Sequence, residues 1–184
     1  AVVAAASTAG AALTQEGVHP GSLAAYDVTC AGCARVEVDV LTGEVQVLSF
    51  DCVYDCGNSL NPGVDIGQIE GSIVQSLGFC LSEEEYRSSK HGGMINCGTW
   101  DYKVPSGLDI PVEMNVTLLP PEREVPGTWL NSKASGEPAQ LVGPAVFFAV
   151  KDAMVSARKD AGLPPVFRLD PPASPERVLL GCQQ

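Results

Sequence analysis

Residues 61–81 read NPGVDIGQIEGSIVQSLGFCL, and this stretch decides what kind of fold the chain can adopt. Asn61 suits a helix N-cap, Pro62 suits the first helical position, and Asp65 complements the positive end of the helix dipole. The spacing predicts a helix reaching about Leu81. Ile66, Ile69, Ile73, Leu77 and Cys80 form an apolar stripe at helical period, while Gly67, Gly71 and Gly78 fall in a narrow arc beside it. Each glycine costs about 1 kcal/mol relative to alanine inside a helix. Something must approach that arc closely enough to offset the loss, either another packed backbone or a bulky ligand. Gln68 projects between the two faces, with an amide that can both donate and accept.

On the N-terminal side, Val36, Val38 and Val40 alternate with Arg35, Glu37 and Asp39, which reads as a half-buried strand. Thr42-Gly43 turns it into a second strand from Glu44 through Phe50 to Tyr54, ended by Gly57-Asn58-Ser59. On the C-terminal side, Glu83 to Thr128 is polar and rich in turns, with one further strand expected at Val112 to Leu119. Trp100, Tyr102 and Val104 share one parity and are expected to face a core.

Lys133-Ala-Ser-Gly-Glu-Pro138 precedes an apolar run. Pro138 pushes Glu137 toward extended dihedrals, so Glu137 is expected on a loop. A helix restarting near Pro144 turns Val146, Phe147, Val150, Met154 and Ala157 inward and stops at Gly162. Phe148 is also apolar, so this helix is expected to be buried around most of its circumference. Glu137 is then either a surface charge or a general base in a low-dielectric pocket. These elements make an α+β chain, read as two αβ lobes with mixed sheets and packed helices.

The 184 residues, 45% hydrophobic, suffice for a real core. The net charge of -11 disfavours nucleic acid and anionic membrane surfaces as partners. Seven cysteines cannot all pair, and a reducing, cytoplasmic setting is expected. Residues 1–25 read as an Ala/Gly-rich segment, and 26–184 as the folded domain. The chain does not begin with Met, which suggests a processed product or part of a longer polypeptide.

The strings VEVDVLTGEV, YDCGNSLNPGVDIGQIEGSIVQSLG, GTWDYKVP, SKASGEP and FFAVKDA occur in that order. Together they resemble the C-terminal part of the molybdenum-cofactor region of the xanthine dehydrogenase and aldehyde oxidase family. The resemblance covers Tyr26 to Cys182. It implies an α+β fold like the C-terminal half of that cofactor domain, and Glu137 as general base toward a molybdenum-bound hydroxyl. It implies Gln68 as a hydrogen-bonding partner of the pterin, with Gly67 and Gly71 letting that bulky group approach the helix backbone. The implied reaction is hydroxylation of an aldehyde or a purine-like N-heterocycle with water-derived oxygen. Molybdenum-molybdopterin would be shared with other polypeptide, either the rest of the chain or partner subunits. Iron-sulfur clusters and FAD would lie elsewhere in the full enzyme, itself a homodimer, and this segment alone would be inactive. A non-catalytic remnant serving as scaffold or interaction module is the alternative.

Two features depart from the family pattern. Ala139-Gln140 follows Pro138 where a second proline and an apolar run are usual, and a short insertion surrounds Cys30-Ala-Gly-Cys33. No residue of this chain is expected to ligate metal. Cys30, Cys33, Cys52 and Cys56 only loosely resemble a zinc set and read as structural thiols. His19 and His91 read as loop residues, and Asp51 with Asp55 lacks a third oxygen-rich partner. Lys133 is a candidate ion-pair partner for Glu137, and Arg158 with Lys159 for the C-terminal helix dipole.

Overall fold

A computed structural model describes residues 2–12, 14, 25–121, 124–125 and 127–183. A short helix α1 (Val2–Thr8) comes first, within the segment expected to stand apart from the domain. His19 lies outside the described residues. Strands β1 (Cys30–Val38) and β2 (Val45–Tyr54) form the expected antiparallel hairpin, and β3 (Glu113–Leu118) adds to β2 in parallel. The described strands thus make one mixed sheet in the order β1-β2-β3.

The hairpin turn follows from its residues. Asp39 Oδ1 accepts from the amides of Leu41 at 2.8 Å and Thr42 at 3.3 Å, and Gly43 takes the left-handed backbone at φ 77°. Val40 falls beyond β1 and is exposed. Arg35 pairs with Ser49 and Val36 with Val47, so Leu48 is an extra residue in β2. This bulge reverses the side-chain parity, and Val47 before it and Phe50, Cys52 and Tyr54 after it all enter the core.

Helix α2 (Pro62–Leu81) has the expected bounds, and Asn61 Oδ1 caps it by accepting from the Val64 amide at 3.3 Å. Its stripe of Ile69, Ile73 and Leu77 packs on the sheet with Val146 of helix α3 (Pro144–Asp160). A second buried cluster joins Val150 and Met154 of α3 to Val178 and Cys182 of helix α4 (Pro175–Gln183). A helical layer therefore covers one face of the sheet, while Arg35, Glu37, Asp51 and Asn115 stay exposed on the other. The stretch Glu137–Asp160 is apolar enough to cross a bilayer by composition. Its composition has a simpler cause, because Val146, Val150 and Met154 are fully buried against protein.

Three expectations fail. Trp100 is 86% exposed and Val104 63%, because residues 98–102 form turns and bends in place of an extended strand. Only Tyr102 is partly covered, its hydroxyl donating to Glu83 Oε2 at 2.8 Å. Phe148 is 61% exposed, so α3 is buried on one side and bare on the other. Arg158 is no simple dipole partner. It is buried, it donates to the carbonyls of Pro164 and Gly181, and it stacks on Phe167.

Candidate functional site

The segment that carries Glu137 is tied to the end of β2 almost residue by residue. It enters through Leu130 and Asn131, both in the left-handed region at φ 51° and 64°. The Asn58 amide donates to Asn131 O at 2.9 Å, and the Lys133 amide donates to Cys56 O at 2.8 Å. The Tyr54 hydroxyl donates to Ala134 O at 2.8 Å, and Ser135 Oγ donates to Asp65 Oδ1 at 2.8 Å. Gly57 belongs at the crossing, because at φ 64° a side chain is strained and a Cβ would stand 2.2 Å from Asn131 O.

Glu137 then opens a 3₁₀ turn, Glu137–Val142, and does not sit on an irregular loop as Pro138 suggested. The turn packs against α2 on one side and against β1 on the other. A Cβ on Gly32 would come within 2.8 Å of Val142 Cβ and 3.0 Å of the Phe50 ring, so the glycine admits the turn. At the junction with α3, a Cβ on Gly143 would stand 2.1 Å from Ser76 Oγ. The turn is therefore seated directly on helix α2.

This packing brings the sequence-derived residues together. Gly67, Gln68, Gly71, Ser72 and Gln75 of α2 face Gly136, Glu137 and Gln140 across a cleft of about 270 Å³. Gln68 and Glu137 are both exposed in this chain, at opposite walls of that cleft. A Cβ on Gly136 would stand 3.1 Å from Gln68 Oε1. The Glu137 carboxylate makes no hydrogen bond or ion pair among the described residues. Lys133 does not pair with it and instead reaches back to Asp55, both ends of that pair being largely covered. Gln140 Nε2 donates to Gln75 Oε1 at 2.7 Å, so the polar amide that departs from the family pattern braces the cleft wall, and Ala139 is buried beneath.

The glycine arc divides in two. A Cβ on Gly78 would collide with Glu83 and Pro105, so that glycine serves packing within the chain. At Gly67 and Gly71 no described residue outside the helix's own backbone comes within 4 Å of the position a Cβ would take, so no packing among the described residues accounts for them. Ser72 Oγ beside them is buried without a hydrogen-bond partner among the described residues. Bare helix backbone, an exposed Gln68 amide and an orphaned hydroxyl on one wall fit a broad ligand with hydrogen-bonding edges, as a pterin is. Flanking residues are apolar and uncovered, with Val64 57%, Phe79 62% and Leu141 81% exposed.

The cysteines do not form a metal centre. Cys33 lies on the exposed face of β1 while Cys30 faces inward, and all seven cysteines are free. Among the described residues no three His, Cys, Asp or Glu side chains cluster as a metal site. Burial pushes the Cys52 thiol up to about 11 and raises Cys56 and Cys80 as well. His91 is a loop residue whose Nδ1 accepts from the Gly93 amide at 3.2 Å.

Two site features escape sequence reasoning. Asp65 reads as a dipole partner, yet its carboxylate also accepts from Ser59 Oγ at 2.5 Å, joining two loops. The Tyr54 hydroxyl contact spans 80 positions and has no local signature.

Comparison with known proteins bears on this cleft. A family model described as a molybdopterin cofactor-binding domain matches residues 1–111, and so takes in the N-terminal segment as well. Probable aldehyde oxidase 2 of Oryza sativa subsp. japonica is 47% identical over 148 residues, covering 78% of this chain and 11% of that protein. Xanthine dehydrogenase/oxidase of Gallus gallus is 46% identical over 152 residues, covering 82% of this chain and 11% of that protein. Quinoline 2-oxidoreductase from Pseudomonas putida superposes with a TM-score of 0.68 at 31% identity, over 82% of this chain and 18% of that one. The chain thus spans a small part of the proteins it matches.

Proposed function

Because this chain belongs to the molybdopterin cofactor-binding domain family of the xanthine dehydrogenases and aldehyde oxidases, we propose that its cleft is one wall of a molybdenum hydroxylase active site. The observation that carries this reading is the opposition of Gln68, Gly67 and Gly71 to Glu137 across one cleft. In this reading residues 26–184 are the cofactor-facing domain.

Gln68 would hold the pterin edge through its amide, and Gly67 and Gly71 would let the ring system lie against the backbone of α2. When bound, the molybdenum-pterin group supplies the two-electron acceptor and the water-derived oxygen of hydroxylation. Glu137 would act as general base on that wall of the cleft, a carboxylate oxygen taking up the proton released in the reaction. Its mounting on a turn seated on α2 and β1 fixes the backbone from which this side chain lines the cleft. The substrate class is an aldehyde or a purine-like N-heterocycle, both with an electron-poor carbon.

Further polypeptide, from the same chain or a partner subunit, completes the cavity. The uncovered apolar side chains of Val64 and Phe79 on α2 and of Leu141 on the Glu137 turn, with the solvent exposure of Glu137, favour such a cover, which would exclude water from the base. The iron-sulfur and flavin groups of the full enzyme lie in that further polypeptide, and a homodimer of the whole is part of this reading. Seven unpaired cysteines favour a reducing, cytoplasmic setting.

Replacing Glu137 by Gln in the assembled enzyme tests the assignment. Turnover should fall at least about 100-fold, the lower end of what a general base contributes, with molybdenum content intact. Unchanged turnover excludes Glu137 as the base. Molybdenum missing from protein produced with every partner would leave only the non-catalytic scaffold.

A further inference from the structure

A polar cluster outside the cleft lining ties the two elements that form its walls. Asp65, in the first turn of α2, accepts Ser59 Oγ on Oδ2 at 2.5 Å and Ser135 Oγ on Oδ1 at 2.8 Å. Ser59 belongs to the link between β2 and α2, and Ser135 stands two residues before Glu137. Asp65 also stands three residues before Gln68, close to one helical turn, so its backbone and that of Gln68 move as one body. One carboxylate therefore joins the helix that carries Gln68 to the segment that carries Glu137.

We propose that Asp65 is a positioning residue, clamping the Glu137 segment through Ser135 and the preceding link through Ser59 so that Glu137 keeps its distance from Gln68. The proposal rests on the reading of Glu137 as the base. The geometry divides the labour along the segment. Backbone bonds from Asn58 to Asn131 and from Lys133 to Cys56 fix its first half, and Lys133 with Asp55 reinforces them. Past Ala134 the contact through Ser135 takes over, and the chain then meets Gly136, where among the described residues a Cβ would meet just the Gln68 side chain. Losing the Ser135 hydroxyl would free the last residues before the base while the segment stayed attached upstream. Both partners of Asp65 are neutral hydroxyls, so Asn at position 65 can still accept one of them, whereas Ala accepts neither.

The test uses the enzyme assembled with the polypeptide that completes the cleft, in four variants: Ser135→Ala, Ser135→Thr, Asp65→Asn and Asp65→Ala. Amide hydrogen exchange at Ala134, whose N–H donates to the Tyr26 hydroxyl at 3.2 Å next to the clamp, should accelerate at least about ten-fold in Ser135→Ala and Asp65→Ala, with the α2 amides of 69–80 unchanged. In the same two variants kcat should fall about 10- to 100-fold with KM and molybdenum content held, the effect expected of a misplaced group. Ser135→Thr keeps the hydroxyl and should restore both readouts, and Asp65→Asn should fall between. Unchanged exchange and unchanged kcat in Ser135→Ala overturn the clamp, as does equal acceleration throughout α2, which would mark a general loss of stability. Exchange reads the clamp without reference to the base. Faster exchange with normal kcat would overturn the positioning role, and normal turnover of Glu137→Gln would identify the base assignment as the cause.

Discussion

Gly136 stands against Gln68 so closely that a Cβ on the glycine would lie 3.1 Å from the Gln68 side-chain oxygen. The two residues come from segments far apart in sequence, one assigned to the pterin wall and the other next to the base. Gly136 has φ −78°, so its backbone conformation does not itself demand glycine. What the missing Cβ protects is the position of an amide.

Gly136→Ala is therefore expected to fold normally and to displace Gln68. Stability should change by less than about 1 kcal/mol, since the colliding atom ends a flexible side chain. Cofactor retention should weaken by about 1 kcal/mol, one hydrogen bond, or roughly five-fold in affinity. Molybdenum content after dialysis, compared with the thermal melt of the same protein, checks both halves. Full retention would mean that the Gln68 amide is not a cofactor contact.

The sequence makes some of this plain and hides the rest for physical reasons. Helix α2 is legible because its signals are local: Asn61 and Pro62 start it, and Ile69, Ile73 and Leu77 recur at helical period. Strand β1 starts earlier than the alternation suggested, because Cys30-Ala-Gly-Cys33 is too small and uniform to show which face is buried. The bulge at Leu48 is hidden because Val47 and Leu48 are both apolar, so the sequence does not show where the alternation shifts. Helix α4 could have been found from Ser174 and Pro175, a cap followed by proline at the first helical position. The pairing of Gln68 with Glu137 was reachable through the family resemblance, whereas the Asp65 contacts are tertiary and need the fold.

Alkaline pH should destabilise the folded chain through its buried thiols. Burial raises Cys52 from 9.0 to about 11 and also lifts Cys56, Cys80 and Cys182. Between about pH 9 and about pH 11 the unfolded chain releases protons that the folded chain keeps, so unfolding free energy falls as pH rises. Urea melts across this window should show the decline, and Cys52→Ala should make it shallower. A flat profile would contradict the burial of these thiols. Alkylation at pH 8 should meanwhile label the exposed Cys33 and Cys97 first.

Arg158→Lys should be far from conservative. The guanidinium Nε donates to Pro164 O at 2.7 Å, another nitrogen donates to Gly181 O, and the plane lies 4.8 Å from the Phe167 ring centroid. A lysine ammonium cannot serve both carbonyls and stack at once. The loss should be about 2–3 kcal/mol, which for a chain of this size lowers Tm by roughly 5–10 °C. A melt within experimental error of the parent would mean that the second cluster, at α3 and α4, does not depend on this bridge.

Gly71 offers the sharpest contrast between folding and function. Among the described residues nothing beyond the helix's own backbone lies within 4 Å of the place its Cβ would occupy, and it sits inside α2. Gly71→Ala should thus stabilise the chain by about 1 kcal/mol, through better helix propensity and lower unfolded-state entropy. If the pterin lies against this face, the same methyl group intrudes on its contact and Gly71→Leu blocks it. Thermal stability of the two variants should stay at or above the parent while molybdenum content falls, most in the leucine variant. Opposite movement of these two quantities separates a ligand face from a packing face, because a glycine kept for packing would lose stability and cofactor together. Undiminished molybdenum in Gly71→Leu would remove this helix face from the cofactor site.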